Sequence, residues 1–402
     1  MNNYSLKIGS EVQKIWADGK GKTLVAIAFG WGLLNGTRMI YPILLPYFSE
    51  EFGLTLTTAG FLITIIWLAY AVGQVPGGIF ADRYGERKVL TASVALAIIG
   101  ITFVLLAPTA IILFGATITF GLGLSQYPVA RITALSDLYP ERIGQALGIT
   151  MASGDIGQTI LPPIASVLAV IAAWQLGLGF VLPLLCIAVV VIWLTLEKHD
   201  PAKAVEADSS NHGILDIIGR LRDPTLLIVW VIMFLFIFVW QTFSAFYPTY
   251  LVETKGFSAT MAGLIFGMFF AFGVVAKPAA GVAYDRVGIR GSLPLVLVGA
   301  IVGLGSLPFV EGVVPILVVT VLISTMLGSG AITQSYLAET IPPEIQGTGL
   351  GVVRSSSSMI GAAGPVVFGL IAHMGYFDEG YILLSAIVAA VTLASLLLPK
   401  RR

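Results

Sequence analysis

The chain has 402 residues, of which 57% are hydrophobic and 11% charged, with a mean hydropathy of +0.93. That is far more apolar surface than one soluble core removes from water, so a water-soluble globular protein is excluded. Lys plus Arg (22) balance Asp plus Glu (22), and the single cysteine, Cys186, has no second thiol. A basic nucleic-acid footprint, an acidic disordered tail, an internal disulfide and a thiolate metal site are thereby excluded too.

The charge-free windows define the elements. Residues 52–81, 89–130, 224–252, 256–276, 312–338 and 380–399 contain no Asp, Glu, Lys or Arg, while 23–49 holds only Arg38 and 143–196 only Asp155. A membrane-spanning helix needs ~20 apolar residues, so the long windows 89–130 and 143–196 must each turn once, near Pro108 and Trp174. Twelve spanning helices are predicted, in order 23–48, 55–81, 88–107, 111–138, 143–171, 174–196, 224–251, 257–284, 291–310, 313–339, 346–373 and 379–399. The fold class is therefore an all-α membrane protein, and no removable signal peptide is expected.

Positive residues set the orientation. Loops on one side carry Lys7, Lys14, Lys20, Lys22, Arg83, Arg87, Lys88, Arg142, Lys198, Lys203, Arg220, Arg222, Arg286, Arg290, Lys400, Arg401 and Arg402, and those on the other only Lys255. Both termini are expected in the cytoplasm, in a multi-pass protein of the cell membrane.

The sequence also repeats. A shift of 203 residues superposes Tyr47 on Tyr250, Gly53 on Gly256, Gly60 on Gly263, Asp82 on Asp285, Gly85 on Gly288, Arg87 on Arg290 and Pro162 on Pro365. One ungapped offset over more than a hundred residues predicts two homologous six-helix bundles in the same orientation, 1–196 and 224–402. The polar joint 197–223 is a cytoplasmic linker whose second half, GILDIIGRLRDP, is amphipathic enough to lie on the membrane surface.

Between the second and third helices stands Gly78-Ile-Phe-Ala-Asp82-Arg83-Tyr-Gly85-Glu-Arg87, with a second copy at Gly281-Val-Ala-Tyr-Asp285-Arg286-Val-Gly288-Ile-Arg290. This signature, with twelve helices and the duplication, resembles the major facilitator superfamily. The resemblance implies a transporter whose halves rock about a central cavity, with these loops clamping the cytoplasmic side when the outer side is open. It also implies that Arg83 or Arg87 reaches an acid at the end of the fourth helix, here Asp137. Independently of the name, Gly78 and Gly281 suit a close helix approach and Gly85 and Gly288 a tight turn. The alternative is that these charges only fix topology. In the second half Thr340 stands where Asp137 would be, with Glu339 beside it.

Ionisable residues inside the hydrocarbon are costly and so are functional candidates. There are five: Arg38, Arg131, Asp155, Lys277 and Arg354. Lys277 and Arg354 each lie ~11 Å from the inner end by helical rise, so they share a depth. The resemblance places the eighth and eleventh helices on the cavity, where an Arg fork and a Lys point charge suit a carboxylate. The charge pattern is similar to that of organic-anion members, the oxalate/formate exchangers and monocarboxylate transporters. Asp155, near the midplane, has two open roles: a proton carrier, or a salt-bridge partner neutralising Lys277 across the halves.

Asn35 and Arg38 share a face of the first helix. Facing inward, they are a substrate contact and an outer-cavity cation; facing outward, Arg38 snorkels toward Glu50 and Glu51. Arg131 is close enough to Asp137 for a structural pair. Gln126, Tyr127 and Gln241 are polar candidates for the cavity lining, or alternatively bonds between helices.

The reading is a secondary transporter of a small organic anion, a carboxylate, working by exchange or proton coupling. The alternative is a proton-coupled exporter of lipophilic cations using Asp155. A membrane sensor without transport is also permitted. No phosphate loop, metal cluster or nucleophile constellation is present in the sequence, so neither enzyme activity nor a cofactor or metal is expected. The expected partners are a small anionic solute, protons and the lipid bilayer, without nucleic acid, around a monomer.

Overall fold

The computed structural model describes residues 20–197, 224–341 and 346–399; the linker from 198 onward lies outside them. Every described element is helical. In chain order they are α1 (Lys20–Phe52), α2 (Leu56–Tyr84), α3 (Glu86–Leu105), α4 (Ala110–Leu138), α5 (Ile143–Ile171) and α6 (Trp174–Gly179 continued by Val181–Thr195). The second set begins with α7 (Pro224–Glu253). The helical run Ala259–Ser306 is 48 residues long, ~70 Å if straight and more than twice the hydrocarbon thickness. It breaks at Gly288, the one residue inside it with non-helical backbone, giving α8 (259–287) and α9 (289–306). After these come α10 (Val313–Ser324, a tighter turn Thr325–Gly328, then Ser329–Thr340), α11 (Gln346–Gly361, interrupted, then Gly364–His373) and α12 (Phe377–Ser395).

The 203-residue shift is written into the backbone. Gly53 and Gly256 have φ +64° and +71°, and Gly85 and Gly288 have +85° and +66°, the left-handed region that glycine alone enters without strain. Thr55 caps α2 by accepting from Thr58 N, and Ser258 caps α8 by accepting from Met261 N. Large apolar side chains such as Val75, Ile111, Leu194, Leu295 and Leu397 are exposed, as befits a lipid-facing surface.

Within the first half, glycine sets the spacing of α1 and α5. A Cβ on Gly32 would lie 2.7 Å from the Ser153 carbonyl oxygen, and one on Gly157 would lie 2.7 Å from the Gly32 carbonyl carbon. Small residues thus let two backbones touch where the membrane offers no hydrophobic drive.

The halves meet at the predicted outer end. Gly60 of α2 abuts the Pro365 carbonyl of α11, and Gly263 of α8 abuts Ser166 and the Pro162 carbonyl of α5. Ser166 Oγ donates to Ala259 O at 2.5 Å, and Val366 N donates to Thr64 Oγ1 at 3.2 Å. Both crossings are built from repeat-related residues. At the opposite end a Cβ on Gly144, Gly148, Gly281 or Gly351 would meet nothing within 4 Å. Among the described residues the close backbone contacts between the halves thus gather toward the predicted outer end.

Candidate functional site

The space between the halves opens inward, and its chemistry starts on one face of α1. Trp31, Asn35 and Arg38 follow at helical spacing. Asn35 Nδ2 donates to the Trp31 carbonyl at 2.9 Å, and Arg38 Nη2 donates to Asn35 Oδ1 at 2.9 Å. The Arg38 guanidinium carbon lies 4.1 Å from the Trp67 ring centre and 5.2 Å from that of Tyr70, two aromatics one turn apart on α2. Only 7% of Arg38 is exposed, and its Nε has no partner. A desolvated cation–π contact contributes ~2 kcal/mol, which offsets part of the cost of a charge at this depth. Trp67 also meets Trp240 of α7 edge-on, centroids 5.0 Å apart, so the indole under Arg38 touches both halves.

A second guanidinium lies nearer the inner end. Arg131 of α4 sits with its carbon 4.1 Å from the Trp31 ring centre and donates from Nη1 to Thr150 Oγ1 at 2.8 Å. It is 6% exposed and its Nε is unpartnered. Beneath Trp31 lies Tyr127, stacked at 6.0 Å, whose hydroxyl donates to the Ile27 carbonyl at 2.8 Å. Arg131 interacts electrostatically with Tyr70 on one side and repels Arg354 of α11 on the other. Arg354 is exposed to the open space, and α11 is tied to α7 beside it by Trp230 Nε1 donating to Ser356 Oγ at 2.9 Å.

The fourth cation is paired. Lys277 Nζ of α8 meets Asp155 Oδ1 of α5 at 2.5 Å, with side chains 33% and 14% exposed. This ion pair joins the halves at mid-depth. Among the described residues Arg38, Arg131 and Arg354 have no carboxylate at ion-pair distance. The opening therefore carries three uncompensated guanidiniums and one neutralised Lys–Asp pair.

Several sequence expectations need correction against this geometry. Lys277 and Arg354 do not stand together as a vacant cationic pair, because Lys277 pairs with Asp155, the second of the two roles open for that acid. Arg131 turns to Thr150 and Trp31 rather than to Asp137, which is exposed. Arg38 does not snorkel toward Glu50 and Glu51; Trp67 and Asn35 hold it, and Glu51 accepts from Trp174 Nε1. Tyr127 is fully buried with its hydroxyl engaged, and Gln126 Nε2 donates to the Gly73 carbonyl at 3.1 Å, so both link helices instead of lining the opening. Gln241 is 1% exposed, with an unpartnered Oε1.

At the inner end Arg83 lies over Tyr84 and Arg87 over Trp193, at 5.4 and 4.1 Å, and neither reaches Asp137. Gly78 and Gly281 make no close approach; the tight contacts of α2 with α4 fall at Gly73 and Gly77, against Ser125 and Gln126. The separated inner ends account for both observations. In the second half Tyr284 donates to Glu339 Oε2 at 2.8 Å. The side chain of Asp82 lies outside the described residues.

Sequence reasoning missed Trp31, Trp67, Tyr70 and Thr150. Only Trp31 carried a signal, two turns before Arg38 on the same helix face; Trp67 and Tyr70 lie on α2 and Thr150 on α5, and their pairing with the arginines is a tertiary fact.

The model of the Major Facilitator Superfamily matches residues 26–365. The probable sulfoacetate transporter SauU of Cupriavidus necator is 27% identical over 388 residues, covering 89% of each chain. The hexuronate transporter of Bacillus subtilis is 22% identical, covering 92% of this chain and 93% of its own. Among solved structures, a D-xylose–proton symporter superposes with a TM-score of 0.77 at 16% identity, over 94% of this chain and 98% of its own. With that match spanning most of its length, and with helices duplicated at an offset of 203 residues, the chain belongs to the Major Facilitator Superfamily.

Proposed function

We propose that this protein is a secondary transporter that carries a small organic anion across the cell membrane by alternating access. The observation that carries the reading is the trio Arg38, Arg131 and Arg354, which have no carboxylate partner among the described residues while two of them are almost wholly buried. Charges in such a place are matched by a ligand, and guanidinium forks suit carboxylate or sulfonate oxygens. Relatives named for sulfoacetate and hexuronate support an acid as cargo. The same trio weighs against the lipophilic-cation exporter, whose cargo it would repel.

In this reading the units 1–196 and 224–402, joined by the linker 197–223, rock against each other around the central site, with both termini in the cytoplasm and a monomer as the working unit. Arg38 with Asn35 and Arg131 with Arg354 take the anion, and Gln241 orients it. The Asp155–Lys277 pair is the coupling element: cargo drawn to Lys277 frees Asp155 to accept a proton. When the inner ends close, Arg83 or Arg87 swings to Asp137, and the second copy, Asp285, Arg286 and Arg290, closes beside Glu339.

The test is binding to purified protein by thermal shift together with uptake into proteoliposomes, using small organic acids and lipophilic cations. Stabilisation by acids, weakened in Arg38→Gln and in Arg354→Gln, is expected. Stabilisation by lipophilic cations alone would overturn the reading.

A further inference from the structure

Resting on the anion reading, the geometry points to a cargo with two acidic groups, one at each end of a short spacer: we propose that the site is two-ended and selects dianions. The two buried guanidiniums are separate stations along α1. Arg131 lies over Trp31, whereas Arg38 bonds Asn35 and lies over Trp67. Asn35 is one turn beyond Trp31 and Arg38 nearly two, so the charges are displaced by ~5–10 Å along the helix axis. A single carboxylate spans only the short end of that interval, whereas two acidic groups on a short spacer span all of it.

Each station holds uncommitted donors. Thr150 takes Nη1 of Arg131 and Asn35 takes Nη2 of Arg38, and in both residues Nε is buried without a partner. Both guanidinium faces are covered by indoles, which leaves their edges to face a ligand. The interval between them is not charged: Trp31 supplies an aromatic wall, and Tyr70 interacts with Arg38 and with Arg131, which places it beside both. An aromatic and hydroxyl wall suits a carbon spacer, bare or hydroxylated.

The third cation makes the inner station the stronger one. Arg354 of the other half is close enough to Arg131 to repel it, and an anionic group that meets both turns that repulsion into two attractions, one to each half. A monoanion satisfies either this station or Arg38 and leaves the other uncompensated. A dianion satisfies both. Lys277 is not needed for the count, because Asp155 already neutralises it.

The experiment uses the full chain, purified and reconstituted, with matched pairs that share a carbon skeleton: succinate and butyrate, adipate and hexanoate, muconate and sorbate, galactarate and galactonate, sulfoacetate and ethanesulfonate. Affinity is read by thermal shift and by competition for uptake. At least one diacid is expected to bind tenfold or more tightly than its monoacid partner. Arg131→Gln and Arg38→Gln should each reduce that preference to about twofold or less while leaving monoacid binding at the intact station. Equal affinity within every pair overturns the two-ended site yet leaves the anion reading standing; no binding of any acid overturns both. The wild-type comparison needs no variant, and Arg131→Lys, which keeps the charge, serves where Arg131→Gln fails to fold.

Discussion

Trp67 holds Arg38 by its ring face and meets Trp240 by an edge, so Trp67→Leu removes both contacts at once. Losing a desolvated cation–π contact of ~2 kcal/mol should lower acid affinity roughly tenfold and reduce the thermal midpoint, which binding and unfolding curves on the same preparation will report. Asp155→Asn leaves Lys277 without its counter-charge. Exchange of acid for acid across proteoliposomes is expected to continue, while accumulation driven by an imposed proton gradient disappears; unchanged accumulation would clear Asp155 of a coupling role. At this scale the sequence was only half informative. Arg38, Asp155, Lys277 and Arg354 stood out because charge is scarce in an apolar run. The Asp155–Lys277 pair, 122 residues apart, was one of two roles open for Asp155; the partners of Arg38 and Arg131 were hidden, because only helix packing brings Trp67, Trp31 and Thr150 to them.

Elements were far more legible, because hydropathy and the 203-residue repeat are local or linear properties. The turn glycines illustrate this: Gly85 and Gly288 were expected at tight turns, and both have positive φ. Gly288→Ala would force a Cβ into a conformation disfavoured by about 1–2 kcal/mol, and a matching loss of stability in denaturant unfolding is the expected outcome, with Gly85→Ala behaving alike. Breaks inside helices were not legible. The interruption of α11 between Gly361 and Gly364 and the tight turn in α10 at Thr325–Gly328 carry no hydropathy signature. Nor could periodicity show that Gly73 and Gly77, rather than Gly78, take the close contacts of α2 with α4, because the register between two helices depends on their mutual tilt.

For the molecule as a whole, contact between the halves is confined to one end and mid-depth. A disulfide across that end should trap this arrangement: with Cys186 replaced by serine, Thr64→Cys and Val366→Cys lie on either side of the α2–α11 crossing, where Val366 N donates to Thr64 Oγ1 at 3.2 Å. Oxidation is expected to stop uptake and reduction to restore it, while acids added from the inner side still bind. A bulky side chain in place of Gly60 should act oppositely. A Cβ there would already lie 2.9 Å from the Pro365 carbonyl carbon, so Gly60→Leu should hold the far mouth apart, which labelling of cysteines placed at Tyr47 or Val252 will detect.

Those two crossings, Gly60 on Pro365 and Gly263 on Pro162 and Ser166, have a kinematic consequence. A rigid body touching another at two separated points keeps one easy freedom, rotation about the line through them; sliding and twisting are blocked. Parts of the protein far from that line sweep widely, while groups close to it scarcely travel. With the axle at the outer end, that rotation only widens or narrows the inner mouth, and the passage changes sides when both crossings part.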